Sequence, residues 1–151
     1  MYLNAPVVYE ISDVDVNRVL SFNFSLQDVY LRCWANPYRG WFLHQMVIEW
    51  MGLILKPNEM VDHKDLNTFN NKRDNLRIAT ATQNNANKLL YSNNTSGEKG
   101  VDFYPRYNMY RARISVGGKL KTICYGPEAY CIERFEEAAR KRDGEFYNKG
   151  Y

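Results

Sequence analysis

The chain of 151 residues is short of the residues that usually fasten small proteins or anchor them elsewhere. It has three cysteines, Cys33, Cys124 and Cys131, and no two of them form a CxxC pair. An odd number without metal-ligand spacing excludes a disulfide framework and a cysteine-zinc ribbon, and points to free thiols in a reducing compartment. There is no uninterrupted apolar run of about 18 residues, so no membrane span is expected. The N-terminus, MYLNAPVVYEISDVDV, lacks a basic region followed by an apolar core, so no secretion signal is expected and a cytoplasmic location is. Only two histidines occur, His44 and His63. Any chemistry that needs an imidazole near neutral pH must use one of them.

Hydrophobic residues make up 45% and charged residues 25%, which suits a globular chain rather than a disordered one. Aromatics are plentiful (Tyr 12, Phe 7, Trp 3), so the fold must rest on packing. The net charge of +3 is unevenly placed: residues 1–60 carry −2, 61–100 carry +2 and 101–151 carry +3. Between 101 and 125 stand Arg106, Arg111, Arg113, Lys119 and Lys121 against the single acid Asp102. Such a local excess is either a solvated face or a phosphate-facing one.

The most informative stretch is VDHKDLNTFNNKRDNLRIATATQNNAN, from Val61 to Asn87. Asp62 precedes His63, and asparagines follow 12 and 21 residues beyond the histidine, at Asn75 and Asn84. Singly, each residue suits a turn. Together they bring a base beside hard oxygen ligands, as metal-assisted phosphodiester hydrolysis requires.

Asp62-His63, Asn75-Leu76-Arg77 and the run from Thr80 to Asn87 resemble the HNH nuclease family, and most closely its phage homing-endonuclease branch. The resemblance implies a ββα-metal core with His63 as general base and Asn75 holding the histidine by bonding across the loop. Asp62 and Asn84 become ligands of one divalent ion, Mg²⁺ or Mn²⁺, and Asn87 competes with Asn84 for that place. Arg77 is expected at the DNA. The family's Asn-Gly-Asn after the histidine reads Asp65-Leu66-Asn67 here, so leucine stands where a positive φ suits glycine. His44 lies in WFLHQMVIEWMG, a helical pattern, either as a hydrogen-bonded histidine packed near the site or as a phosphate contact.

Residues 5–36 alternate apolar and polar and read as short strands. Met60–His63 reads as a strand, Leu76–Ala79 as its return, and a helix follows to about Lys88. Residues 92–96 read as a linker. Three β-like segments come next, GVDFYP, MYRARISV and KLKTICYG, with Gly117-Gly118 as a hairpin turn. A helix opened by Pro127 runs to about Asp143, with Ala129, Ile132, Phe135 and Ala139 as its apolar spacing.

Residues 97–147 resemble the Apetala/ethylene-response-factor DNA-binding domain, through Ser96-Gly97-x-Lys99-Gly100-Val101, Tyr110-Arg111-Ala112-Arg113-Ile114, Gly117-Gly118-Lys119 and Glu136-Glu137-Ala138-Ala139. Strand alternation puts Arg111 and Arg113 on one face, with Arg106, Lys119 and Lys121 expected to flank it. That face is then expected to contact DNA.

The expected class is therefore α+β: short strands and a ββα-metal core (1–91), a linker (92–96), and a three-stranded antiparallel sheet packed on one helix (97–151). The expected function is a metal-dependent HNH endonuclease of phage homing or mobile-intron type acting on double-stranded DNA. The alternatives are a non-catalytic DNA-binding regulator on an HNH scaffold and a nuclease for RNA or structured substrates. The oligomeric state is open; a monomer, which would nick, is the simplest expectation.

Overall fold

The computed structural model describes residues 8–90, 92, 94 and 96–150. Among the described residues the fold is mixed α+β, with four helices and four small sheets. The chain divides into two compact units, one ending at Ala81 and one beginning at Thr82. The division falls at the start of a helix, ahead of the Ser/Asn stretch at 92–96; of that stretch, Asn93 and Thr95 lie outside the described residues.

In the first unit, β1 (Glu10–Ile11) is followed by a 3-10 turn (Asp13–Asp15) and helix α1 (Val16–Leu20). Here the expectation of strands throughout 5–36 is corrected. The alternation in SDVDVN suits a strand, but the three-residue spacing of Val16 and Val19 lets a short helix bury Val19 in the core. Residues 5–7 lie outside the described residues. The antiparallel hairpin β2 (Phe24–Gln27) and β3 (Tyr30–Cys33) comes next, then α2 (Leu43–Trp50). Leu43, Met46, Val47 and Ile48 are buried on α2, and Gln45 closes its start by accepting a hydrogen bond from the Phe42 backbone N–H. Strand β4 (Glu59–His63) runs antiparallel to β6 (Leu76–Thr80), and the loop between them carries β5 (Asn70–Asn71), which pairs in parallel with β1. The core joins Val19, Leu31, Leu43, Val47, Ile48 and Leu76.

Apart from Ala81, helix α3 (Ala81–Asn87) belongs to the second unit. That unit also holds the antiparallel sheet β7 (Val101–Tyr104), β8 (Met109–Val116) and β9 (Lys119–Gly126), and helix α4 (Glu128–Asp143). The buried stripe of α4 is Cys131, Phe135 and Ala139, four residues apart, against Val101, Ala112 and Ile114 of the sheet. Ala129, expected on that stripe, is exposed: with Cys131 facing the sheet, position 129 turns about 200° away. Gly100 adopts φ +64°, and a Cβ there would lie 2.1 Å from a Phe135 ring carbon and 2.7 Å from the Arg113 carbonyl oxygen.

Among the described residues no helix is long and apolar enough to cross a membrane.

Candidate functional site

The register of β4 on β6 sets the centre of the site. Val61 pairs with Ile78 and packs on the core, which leaves Asp62 opposite Arg77 and His63 opposite Leu76 at the end of the hairpin. Asp62 and His63 are both buried, at 3% and 6% exposure. A buried carboxylate needs partners. Asp62 Oδ2 accepts a hydrogen bond from Arg77 Nε at 2.8 Å. Arg77, expected at the DNA, is instead turned toward Asp62, with its side chain 11% exposed. The cause is the strand register, which sets the two residues directly across from each other.

The loop from 64 to 75 is tied from within. Asn75 Oδ1 accepts from the Asp65 backbone N–H (3.1 Å), and Asn75 Nδ2 donates to Asp65 Oδ1 (2.9 Å) and to the Asn70 carbonyl (2.7 Å). Asp65 also takes hydrogen bonds from Asn70 and the Asn67 backbone, and with Asn75 these hold its carboxyl below the ordinary range despite partial burial. Leu66 occupies φ +65°. The left-handed turn is therefore present with leucine in it.

His63 is enclosed on several sides. Asn71, 2% exposed, places Oδ1 3.4 Å from His63 Nε2. The rings of His44 and Tyr30 approach it at 5.4 and 6.4 Å between centroids. Burial lowers the His63 pKa from its ordinary value; Asn71, Asp65 and Asp62 pull the other way. The imidazole is thus neutral near pH 7, as a general base must be. His44 stacks on Phe42 at 5.6 Å, and burial, then the charge of His63, push its pKa to about 3. Asn71 and Tyr30 escaped the sequence reading; the tertiary fold brings them to His63 from 8 and 33 positions away in the chain.

The fit of a metal rests on the donor chemistry. Among the described residues no group of three or more His, Cys, Asp or Glu side chains could hold an ion. A zinc-type cage is therefore not on offer. One carboxylate, an amide oxygen and several waters form a donor set that Mg²⁺ or Mn²⁺ accepts. Asp62, with about four lone-pair directions on its two oxygens, can accept from Arg77 and still supply a ligand. Asn84 is half-buried on α3 and belongs to the second unit. Asn87 is 3% exposed, and its Oδ1 accepts from Asn148 Nδ2 at 3.3 Å, a packing role.

In the second unit the sheet's outer face carries Asp102, Tyr104, Arg111, Arg113 and Tyr125, since Ala112 and Ile114 face α4. Arg111 and Arg113 both pair with Asp102, at 2.7 and 2.9 Å. The Arg111 guanidinium also lies 4.3 Å from the centre of the Tyr104 ring. Tyr104, Tyr107 and Tyr125 contact one another at 5.4–5.7 Å, with Arg106 over Tyr107. Lys119 and Lys121 do not join this face. They pair with Val116 and Ile114, and opposed residues share a side, so both stand on the α4 side of the sheet. The two-residue Gly117-Gly118 turn puts Lys119 opposite Val116 and Lys121 opposite Ile114, and the register shift between Ala112 and Arg113 then sets Cys124 opposite Ala112 and Tyr125 opposite Arg111.

Family models match none of the chain, and no solved structure matches it. It is similar to Protein 3.8 of Escherichia phage T7, with 37% identity over 59 residues, 39% of this chain. The match spans about half, 49%, of that protein's length.

Proposed function

We propose that the chain is a metal-dependent endonuclease of HNH type, from a phage mobile element, that hydrolyses phosphodiester bonds in double-stranded DNA. The observation that carries the reading is the buried pair Asp62–His63 at the end of β4, a carboxylate beside a neutral imidazole. The loop that follows is closed by Asn75. The similarity to a phage protein supports the phage origin in this reading and nothing of its chemistry. His63 takes the proton of the attacking water. Asp62 is one ligand, held in place by Arg77, and the part of Asn84 as the other rests on the motif alone. A bound Mg²⁺ or Mn²⁺ would offset the charge that develops at the phosphorus and at the leaving oxygen. The outer sheet face, with Arg106, Arg111 and Arg113, supplies DNA affinity, and the chain acts in the host cytoplasm.

One observation favours the second reading, a DNA-binding regulator without catalysis. The Asp62–Arg77 ion pair would serve a purely structural site equally well. Supercoiled plasmid incubated with Mg²⁺, with Mn²⁺ or with EDTA separates the two. The nuclease gives metal-dependent open circle or linear product, and His63→Ala slows it by roughly 10²-fold or more while DNA binding stays nearly intact. Cleavage by the variant at the wild-type rate removes His63 from the chemistry. No metal-dependent cleavage by the wild type leaves the regulator.

A further inference from the structure

The second unit holds two of the three cysteines, and its fold brings them into contact. Cys124 lies on β9 and Cys131 in the first turn of α4, and their sulfurs stand 3.7 Å apart. Plain alternation along β9 would keep them separate. Lys121 pairs with Ile114 on the α4 side and Thr122 with Arg113 on the outer side, so Cys124 would follow Thr122 outward. The register shift leaves Ile123 as an extra residue, and Cys124 comes to stand opposite Ala112, which faces α4. A bulge of this kind re-aims a side chain. Here it aims one thiol at another.

The surroundings give the two sulfurs different parts. Cys131 is wholly buried, with its sulfur 3.4 Å from the Tyr110 carbonyl oxygen and 3.9 Å from that of Gly126. Burial raises the Cys131 thiol to about 11. A thiol so firmly protonated reacts slowly unless its target already lies beside it. Cys124 is half-buried and is the one an oxidant meets first. Cys33 belongs to the first unit, where its sulfur lies 3.5 Å from the Ala35 carbonyl oxygen. A disulfide of about 2.05 Å requires the Cys124 and Cys131 sulfurs to approach by roughly 1.7 Å, a displacement on the scale of a side-chain rotation.

We propose that Cys124 and Cys131 form an oxidation site, a dithiol that a hydroperoxide converts to a disulfide between β9 and α4. The Cys124 sulfur attacks hydrogen peroxide, its S–H becomes S–OH, and one water leaves. The Cys131 thiolate then attacks that sulfur. The S–S bond forms as the S–O bond breaks, and hydroxide leaves with the Cys131 proton as a second water. The two sulfurs give up two electrons, which the peroxide takes. A thiol reductant returns them and reopens the bond. The link joins residues seven positions apart and fixes the helix to the strand behind Tyr125.

The test treats the full chain with a few equivalents of hydrogen peroxide in the absence of denaturant, then unfolds, alkylates and digests it. Trypsin leaves both cysteines in one peptide, Thr122–Arg134, since no lysine or arginine stands between them. From the wild type that peptide should emerge lighter by two hydrogens and take up no alkylating group, while Cys33 takes up one. Dithiothreitol before alkylation should restore both thiols. Cys131→Ala should leave Cys124 as a sulfenic acid that dimedone traps. In Cys124→Ala, Cys131 should react at least about tenfold more slowly than that. A wild-type peptide with both cysteines still free, at peroxide levels that oxidise glutathione, overturns the proposal whether or not either variant folds. So does a bond to Cys33 or to a second chain, or a peptide oxidised at Cys124 with Cys131 free. A bond that forms only after urea has unfolded the chain overturns it too, since the native contact is then packing alone. Faster reaction at Cys131 than at Cys124 overturns the parts assigned to the two sulfurs.

Discussion

Leu66 holds φ +65°, a conformation that costs a residue with a Cβ about 1–2 kcal/mol. The turn is kept because its neighbours over-determine it: the Leu66 N–H donates to the His63 carbonyl, and Asp65 and Asn67 are tied on either side. Leu66→Gly should raise the stability of the first unit by about 0.5–1 kcal/mol, since relief of the backbone exceeds the added freedom of the unfolded chain. Leu66→Val should lower it by a similar amount, because branching at Cβ worsens the clash. Urea unfolding of the three proteins checks the order, and a valine variant as stable as the wild type would remove strain from the account. At this scale the sequence was partly legible. Asn75 stands out by its place in a motif, and its bonds to Asp65 and Asn70 can be anticipated from amide chemistry. Asn71 cannot, because it is one asparagine among several until β1 pairs with β5 and aims it. Arg77 misleads for the same reason: alternation gives its face, while only the register reveals Asp62 across from it.

Elements were legible where pattern and punctuation agree. Gly117-Gly118 between alternating runs marks the β8–β9 hairpin, and Pro127 with Gly144 brackets α4. They were obscured where a single irregularity changes the parity of a strand, as the shift between Ala112 and Arg113 does for Cys124 and Tyr125. Close approach was hidden too. Gly100 has no Cβ because Phe135 of α4 and the Arg113 carbonyl occupy that space, so Gly100→Ala should destabilise the second unit by about 2–4 kcal/mol. A loss under about 1 kcal/mol, measured by thermal or urea unfolding, would mean the helix can step back cheaply. The sheet's outer face yields a sharper expectation for binding. Asp102 lies between Arg111 and Arg113 and offsets one of their two charges. If this face meets phosphate, Asp102→Asn should tighten DNA binding and steepen the slope of log K against log salt by up to about 0.9. Titrations at several salt concentrations decide it, and weaker binding by the asparagine variant would show that Asp102 orders the arginines more than it neutralises them.

Over the whole molecule, the response to acid should separate the two units. Both histidines lie in the first unit, and burial disfavours the charged form of each. A histidine whose folded pKa is depressed adds no penalty above its unfolded value of 6.5. Below that value the unfolded chain takes up a proton that the folded chain refuses, so stability falls as pH falls. For His44, moved from 6.5 to about 3, the loss between pH 7 and pH 5 is about 2 kcal/mol, and His63 adds in the same direction. Tyr30 and Phe42, packed on His44, carry no charge in this range that could offset it. The second unit has no histidine. Its shifted carboxylate, Glu136, is held low by Lys149 and Arg140, so its contribution is lost only once pH falls below the ordinary carboxylate range. Each unit has its own hydrophobic core, so each can lose structure on its own. Between pH 7 and pH 5, hydrogen exchange should therefore show protection falling in α2, β4 and β6 while β7–β9 and α4 keep theirs. His44→Phe, which removes the larger proton uptake and keeps a ring on Phe42, should flatten the loss in the first unit by about half or more. Equal loss in both units would mean that the two imidazoles do not govern acid stability.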